Sequence, residues 1–462
     1  MSPPRPVVDL GASRRIHIVG VGGAGMSAIA TVLAGMGHRV SGSDAAASST
    51  LDGLEAIGVD AALGHDAANL AEDVDFVAVS TAIASDNPEV TEARRRGVPV
   101  VRRAELLAAI CAERETIAVS GTHGKTTTSS LLAEVLRGLG REVGYLVGAR
   151  IASLEGAAAW GSDALFVVEA DESDGSAFEL PRYAAVLTNV EPDHLEHHGD
   201  FGALVGSFAD FIDSTPGPVV LCVDDPLLAG WARPDHWTYG STDRARVVVA
   251  DVAPEPLGIS WDIRIDGEPL GRARLARPGL HNALNATAAI AMAAAVGEDP
   301  VAAIEAVSAH RGVARRFEPR GRARGVTFVD DYAHLPTEVA AALAAAAGGG
   351  WKRVVAVFQP HRYSRTEALG AEFADSFDDA DVLVVTDVYS AGEPPRPGVS
   401  GHSVLDPVLA AHPGRRAHHV ANLDELEELL DALLRPGDLC LTLGAGDLTT
   451  MPTRLVGRWG GT

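Results

Sequence analysis

The sequence predicts an α/β protein of three domains, and three observations carry that prediction. Short apolar strands recur along the 462 residues, helical stretches alternate with them, and two glycine-rich turns each join a strand to a helix. The expected parts are a Rossmann-like N-terminal domain (1–112), a central P-loop-type α/β domain (113–316) and a Rossmann-like C-terminal domain (317–462). A hydrophobic content of 47% is ample for separate cores.

The first domain opens with Arg15-Ile-His-Ile-Val19, an apolar strand, and continues through Gly20-Val-Gly22-Gly23-Ala24-Gly25-Met26. A helix to Met36 and a strand ending at Asp44 follow. A strand, G-x-G-x-x-G, a helix and an acid about twenty positions on are the dinucleotide-binding pattern, which taken alone spells a nicotinamide dehydrogenase. Asp44 either accepts ribose hydroxyls or is an exposed acid after a strand. Strands are expected at Phe76–Val79 and Val98–Val101, and a helix at Glu105–Cys111 leads into the next domain.

Only Lys125 and Lys352 among the 38 basic residues are lysines, and Lys125 sits in Gly121-Thr122-His123-Gly124-Lys125-Thr126-Thr127. A compact ammonium reaches between nucleotide phosphates where a planar guanidinium does not fit. A strand at Thr116–Ser120 and a helix from Thr127 to Leu139 would surround phosphate with backbone N–H groups, and Thr126 or Thr127 would ligate Mg²⁺. The loop is shorter than the standard P-loop, with Val119 where its first glycine would stand.

Strands at Leu165–Val168, Ala184–Thr188 and Val219–Val223 continue the α/β pattern. Glu169, at the end of the first of these, stands where a Mg²⁺ ligand would lie. Asp171, Glu172 and Asp174 read as a solvated loop. His194, after the next strand, is a candidate metal or phosphate contact, with His197 and His198 as exposed helix residues. His281-Asn282-Ala-Leu-Asn285 opens an alanine-rich helix, and the basic stretch Arg315-Arg316-Phe317 reads as a hinge.

The third domain shows strands at Val326–Val329, Val354–Phe358, Val382–Thr386 and Leu439–Leu443. Each runs into a polar or glycine-bearing segment: Asp331-Tyr332-Ala-His334, His361-Arg362-Tyr-Ser-Arg365, Asp387-Val-Tyr389 and Gly444-Ala-Gly446-Asp447. Open α/β sheets bind ligands at the carboxyl ends of their strands, so these segments converge on one edge.

A formal charge of -24 argues against nucleic acid or an anionic membrane as partner, since either needs a basic face. No apolar run reaches membrane-spanning length without Gly or charge, and the start lacks a signal-peptide core, so a cytoplasmic protein without membrane insertion is expected. Cys111, Cys222 and Cys440 form no C-x-x-C pair and read as buried hydrophobes.

Two phosphate loops in one chain suit neither a dehydrogenase nor a simple ATPase. The set Gly-Thr-His-Gly-Lys-Thr-Thr, Glu-Ala-Asp-Glu-Ser-Asp, Thr-Asn-Val-Glu-Pro-Asp-His, His-Asn-Ala-Leu-Asn-Ala, Arg-Arg-Phe, Asp-Asp-Tyr-Ala-His and Phe-Gln-Pro-His-Arg-Tyr-Ser-Arg resembles the Mur ligases. These are the ATP-dependent amide-forming enzymes of peptidoglycan precursor synthesis. The motifs run in order over residues 15 to 447, and Gly-Val-Gly-Gly-Ala-Gly-Met favours the alanine-adding branch.

The resemblance implies that ATP and Mg²⁺ are used to join L-alanine to the lactyl carboxylate of UDP-N-acetylmuramate through an acyl phosphate. A recycled tripeptide in place of L-alanine is the alternative. It assigns Lys125 to the ATP phosphates, Thr126, Glu169 and His194 to magnesium, Asn282 and Asn285 to the adenine, Arg316 to the hinge and Asp331 to the ribose. Gly22, Gly23, Ala24, Gly25 and Met26 match the loop on the uridine diphosphate, Ser80, Thr81, Ala82 and Ile83 its neighbouring segment, with His65 and Arg103 as further candidates. Tyr332, His334, His361, Arg362 and Arg365 match the face for the amino acid and the muramyl carboxylate, with His334 or His361 as the base. Leu335 replaces the usual second histidine, and with only two lysines no carbamylated lysine is available. Domain closure around the substrates and a monomer or homodimer are expected. Outside the family, the other readings are the dehydrogenase and an ATP-dependent sensor of UDP-sugar.

Overall fold

The structure, a computed structural model, describes residues 8–461 except 81, 155, 194 and 311–313. Its contacts divide the chain into two compact units, one of Met1–Ala250, Ile263–Gly271 and Leu284–His310, the other of Asp251–Asp262, Arg272–Ala283 and Arg311–Thr462.

The first unit begins with β1 (Arg15–Val19), β2 (Arg39–Asp44), β3 (Asp60–Leu63), β4 (Phe76–Val79) and β5 (Val100–Arg102). They form a parallel sheet in the order β3-β2-β1-β4-β5. The chain reverses direction across the sheet between β1 and β4, which opens a crevice at the carboxyl end of β1, where the first glycine loop lies. The last strand is shifted from the expected Val98–Val101 to Val100–Arg102. The helix Pro88–Arg96 has local signals at both ends: Asn87 accepts from Glu89 N and Val90 N, Pro88 opens the first turn, and Gly97 closes it at φ 72°.

The second sheet comprises β6 (Glu115–Ser120), β7 (Gly144–Ile151), β8 (Gly156–Ala159), β9 (Leu165–Glu169), β10 (Ala184–Leu187), β11 (Val219–Cys222), β12 (Trp237–Gly240), β13 (Val247–Glu255), β14 (Gly258–Ile265) and β15 (Glu268–Leu275). Its order is β15-β14-β13-β12-β11-β10-β6-β9-β7-β8, with strand pairs parallel from β7 through β13. The connection from β14 to β15 is only Asp266-Gly267, both at positive φ (52° and 85°), the hairpin chemistry that joins antiparallel strands. β6 lies between β9 and β10, so the Lys125 loop also emerges at a switch point.

The second unit holds β16 (Glu318–Ala323), β17 (Val326–Asp331), β18 (Arg353–Phe358), β19 (Val382–Thr386), β20 (Ala417–Val420) and β21 (Asp438–Leu443) in the order β16-β17-β21-β18-β19-β20. All pairs are parallel except β16 with β17. Side chains alternate between two cores: Val354, Ala356 and Phe358 pack on one face, Val355 and Val357 on the other. This is why the strands read as continuous apolar runs. Among the described residues no helix is long and apolar enough to cross a membrane, and all three cysteines are buried and unpaired.

Candidate functional site

The Lys125 loop is tight because two glycines adopt positive φ, Gly121 at 125° and Gly124 at 81°. A methyl group on Gly121 would stand 2.3 Å from Thr188 Oγ1 and 2.9 Å from Asn189 O, so the loop lies directly against the end of β10. Asn189 clamps it: its Oδ1 accepts from His123 N at 2.8 Å and its Nδ2 donates to His123 O at 3.2 Å. Thr122 donates to Glu191 O and accepts from Glu191 N at 2.8 Å. The helix begins at Lys125, two residues earlier than expected, and Gly124 leaves its N-terminus without a side-chain cap. Those free N–H groups are what a phosphate binds.

Lys125 Nζ donates to Gly121 O at 2.8 Å, to Thr122 O at 3.0 Å and to Glu172 Oε1 at 2.9 Å. Burial opposes its charge, but Glu172, Asp171 and Glu169 outweigh burial and hold the ammonium above its usual range. Glu172, expected in a solvated loop, is 1% exposed. The chain folds back after β9 in a 3₁₀ turn (Glu172–Asp174), which turns that carboxylate inward to the lysine. Burial pushes the Glu172 carboxyl upward against the pull of Lys125. His198, expected to be exposed, is part-buried, with Nε2 2.8 Å from Glu172 O.

Thr126 Oγ1 donates to Glu169 Oε1 at 2.8 Å, and Glu169 Oε2 accepts from Gly148 N at 2.6 Å. A Cβ at Gly148 would lie 2.8 Å from both Glu169 oxygens, so only glycine leaves this carboxylate its cradle. Hydroxyl and carboxylate oxygens, with Asp171 on the same cleft wall, suit a hard cation such as Mg²⁺. Thr127 is buried beside them without sharing the Glu169 contact. His194 lies outside the described residues. Asn285, on the helix Leu280–Ala295, places Oδ1 2.6 Å from where a Gly124 Cβ would be.

At the first glycine loop, Asp44 Oδ2 accepts from Gly22 N at 2.9 Å, so this carboxylate shapes the loop. Ser43 O accepts from Gly20 N and Val21 N. The loop leads into the helix Ala24–Gly35, again without a side-chain cap. Arg103 lies against Gly25, and Ile83 against Gly20. Ser80 O accepts from Ile83 N, turning the segment that holds Ala82 back over the end of β4; Thr81 lies outside the described residues. A cleft of about 510 Å³ is lined by Gly25, Arg103, Arg150, Glu169 and Asp171, so the helix start after the first glycine loop and the carboxylate bonded to Thr126 border one space. His65 follows β3 and contacts Ser43 Oγ through Nδ1 at 2.9 Å.

In the second unit the strand-end segments do meet. His361 stacks on Tyr389 at 5.7 Å, lies 6.2 Å from the His334 ring, and has Nδ1 3.3 Å from Arg365. Arg362 holds φ 67°, fixed by its N–H to Tyr389 O at 2.8 Å. Arg315 and Arg316 both lie over the Tyr332 ring, at 4.9 and 5.1 Å. Burial, then Arg365, His334, Arg362 and Arg315, push the His361 pKa down to about 4. His334 is also lowered, chiefly by burial. A basic face with two neutral imidazoles is suited to carboxylates and to taking a proton.

Asp331 accepts from Phe317 N and Ala333 N, both at 2.7 Å, so its oxygens fasten the chain at the start of the unit. Arg315 carries the network there, donating to the Gly444, Ala445 and Gly446 carbonyls, while Arg316 faces Tyr332. Asn282 is buried and donates to Pro278 O at 2.7 Å. Leu335 is 6% exposed and caps the helix Pro336–Ala347, so its position points into the core. Lys352 is exposed ahead of β18. Sequence reasoning missed the inward turn of Glu172, the role of Arg315 and Glu338, which accepts from His334 N at 3.0 Å. A glutamate four residues after His334 and just inside a helix is a capping pattern that could have flagged the last.

The sequence matches three family descriptions in order: "Mur ligase family, catalytic domain" over 15–115, "Mur ligase middle domain" over 119–293 and "Mur ligase, glutamate ligase domain" over 315–446. The UDP-N-acetylmuramate–L-alanine ligase of Anaeromyxobacter dehalogenans is 43% identical over 448 residues, covering 96% of this chain and 97% of that protein. The protein of the same name from Kineococcus radiotolerans is 46% identical over 450 residues, covering 95% and 94%. The solved UDP-N-acetylmuramate–alanine ligase of Thermotoga maritima has a TM-score of 0.82 at 30% identity, covering 97% of this chain and 99% of that one. A murein peptide ligase from Psychrobacter arcticus, at 24% identity and TM-score 0.67 with 97% and 99% covered, shares the fold.

Proposed function

Since the chain belongs to the Mur ligase family, we propose that it ligates L-alanine to the lactyl carboxylate of UDP-N-acetylmuramate, converting ATP to ADP and phosphate, in peptidoglycan precursor synthesis in the cytoplasm. The observation that carries the reading is the single cleft bordered by Gly25 and Arg103 on one side and Glu169 on the other. A sugar nucleotide held by its diphosphate at the first loop would extend its acyl group toward the loop that handles ATP. The choice of L-alanine rests on full-length relatives that carry that activity in their names.

A carboxylate is a poor electrophile because oxide would have to leave. One of its oxygens attacks the γ-phosphorus of ATP, the bond to ADP breaks, and an acyl phosphate forms. The amine of L-alanine then attacks the acyl carbon, and the tetrahedral intermediate expels phosphate to leave the amide. The Lys125 ammonium, now held by its own loop and Glu172, would turn to the transferring phosphoryl group, beside the uncapped helix N-terminus. Bound Mg²⁺, held by Thr126 and Glu169 with His194 as a further ligand, would offset charge on the phosphates. Asn285 and Asn282 would meet the adenine. Arg316 would serve ATP at the hinge, Arg362 and Arg365 would bind carboxylates, and His361, neutral at pH 7, is the group proposed to take the amine's proton. Asp331 would act by fixing Phe317 and Ala333, and contact with the ribose would come second to that role.

Phosphate release from ATP with Mg²⁺ and UDP-N-acetylmuramate, measured with each amino acid or the tripeptide added separately, tests the reading. Release dependent on L-alanine is expected. Release only with tripeptide would overturn the choice of acceptor, and no release under any combination would overturn the ligase reading.

A further inference from the structure

Behind the first glycine loop lies a buried polar chain that the reaction above does not use. Glu89, fully buried on the helix Pro88–Arg96, accepts at Oε1 from Asn69 Nδ2 at 2.7 Å and Asp66 N at 3.3 Å. At Oε2 it accepts from Ser43 Oγ at 2.6 Å, and His17 Nε2 lies 3.7 Å from the same oxygen. Burial alone would raise its pKa, but the nearby His17 imidazole and hydrogen bonds from Ser43 and Asn69 hold it at about 2. The carboxylate is therefore ionised and can only accept.

That fixes the direction of the next bond. A serine hydroxyl has one proton, and Ser43 gives it to Glu89. Its remaining contact, 2.9 Å to His65 Nδ1, must be one in which Ser43 accepts, so His65 carries its proton on Nδ1. Neutral imidazole has one N–H, which leaves Nε2 with a lone pair. Among the described residues His65 Nε2 has no hydrogen-bond partner, and it is not a buried atom. Ser43 also anchors the glycine loop through its carbonyl. Leu63, two residues before His65, is 67% exposed, an apolar surface at the same strand end.

We infer that Glu89 is a positioning residue which, through Ser43, sets His65 as a hydrogen-bond acceptor for the uridine of the bound nucleotide, meeting the imide N–H of uracil or a ribose hydroxyl. The inference rests on reading the first glycine loop as the UDP-sugar site. Glu89→Gln is the informative change. Its amide oxygen takes over the bonds from Asn69 and Asp66, and its NH₂ then faces Ser43, which must turn its proton to His65 Nδ1. The imidazole proton moves to Nε2, and an acceptor becomes a donor.

The experiment uses the full chain at pH 8 with UDP as probe, imidazole ¹⁵N spectra to read the tautomer, and His65→Gln to assign the signal. Wild type should show the Nδ1–H form, and Glu89→Gln the Nε2–H form with UDP bound about tenfold more weakly. KM for ATP should stay put, which general loss of structure would not allow. In wild type, 3-methyluracil diphosphonucleoside losing affinity identifies the imide as donor, and 2′-deoxy-UDP losing affinity identifies the ribose. Ser43→Ala, which removes only a buried hydroxyl, should weaken UDP in the same way and carries the test if Glu89→Gln does not fold. An Nε2–H signal in wild type, or wild-type UDP affinity in the folded variants, overturns this inference alone. Wild type that binds neither UDP nor the UDP-sugar overturns the site reading and this inference with it.

Discussion

Gly121→Ala should be the most damaging single methyl group that can be added to the Lys125 loop. Two costs combine there. The backbone stands at φ 125°, which an L-residue adopts only with strain of about 1–3 kcal/mol. The new Cβ also meets Thr188 Oγ1 at 2.3 Å, Asn189 O at 2.9 Å and Thr188 N at 3.0 Å. Two of those three atoms are backbone of the β10 end and cannot rotate away, so overpacking adds about 1–3 kcal/mol. The sum, about 2–6 kcal/mol, is a large part of the 5–15 kcal/mol typical of a whole domain. Two companions separate the terms. Gly140→Ala has φ 86° and nothing within 4 Å, so it carries strain alone; Gly124→Ala has φ 81° and a Cβ 2.6 Å from Asn285 Oδ1, a side chain that can swing aside. Thermal unfolding at about 2–4 °C per kcal/mol should therefore rank the losses Gly140→Ala, Gly124→Ala, Gly121→Ala, smallest first. ATP binding should fail in the last because Lys125 is bonded to Gly121 O. A Gly121→Ala protein that melts with Gly140→Ala, and still binds ATP, would refute the steric argument.

Lys125→Ala should abolish L-alanine-dependent phosphate release while titration calorimetry still detects UDP-N-acetylmuramate at the first glycine loop. Asp331→Asn replaces one acceptor of the Phe317 and Ala333 N–H groups by a donor, at about 1–3 kcal/mol in the urea midpoint; an unchanged midpoint would remove its fastening role. For His361 the folded pKa of about 4 lies below its ordinary 6.5, so the stability it contributes is full above pH 6.5 and is lost as pH falls toward 4. The loss is about 1–3 kcal/mol after screening at a half-buried ring, and urea titrations at pH 7 and 4 should show it shrinking in His361→Asn. Glu169→Gln should raise the Mg²⁺ concentration needed for half-maximal turnover severalfold, with UDP-sugar KM little changed.

Much of this fold is written locally. Thr116 to Ser120 is recognisable as a strand from its apolar run, and the turn that follows from glycines whose φ no other residue adopts cheaply. The same holds for Val354 to Phe358, buried on both faces and therefore apolar throughout. Less legible are β8, whose Gly-Ala-Ala-Ala composition carries no strand signal, and the meander β13–β15, where polar residues alternate on an exposed edge. Glu172 was misread because four acids in six residues look solvated from composition, yet one of them turns inward to an ammonium 47 positions earlier in the chain.

The sequence by itself determined that there are two phosphate-type loops, what residue types end each strand, and which family the chain belongs to, because turn chemistry, capping and strand hydrophobicity act over a few neighbours. Tertiary structure alone decided which of those residues face one another. The placement of β6 between β9 and β10 brings Thr126 to Glu169 and sets Asn189 on the loop. In the same way, β2 beside β3 lets Ser43 join Glu89 to His65. Hydrogen-bond direction in such a chain depends on partners brought together by strand order, and strand order comes from burying both faces of each sheet at once.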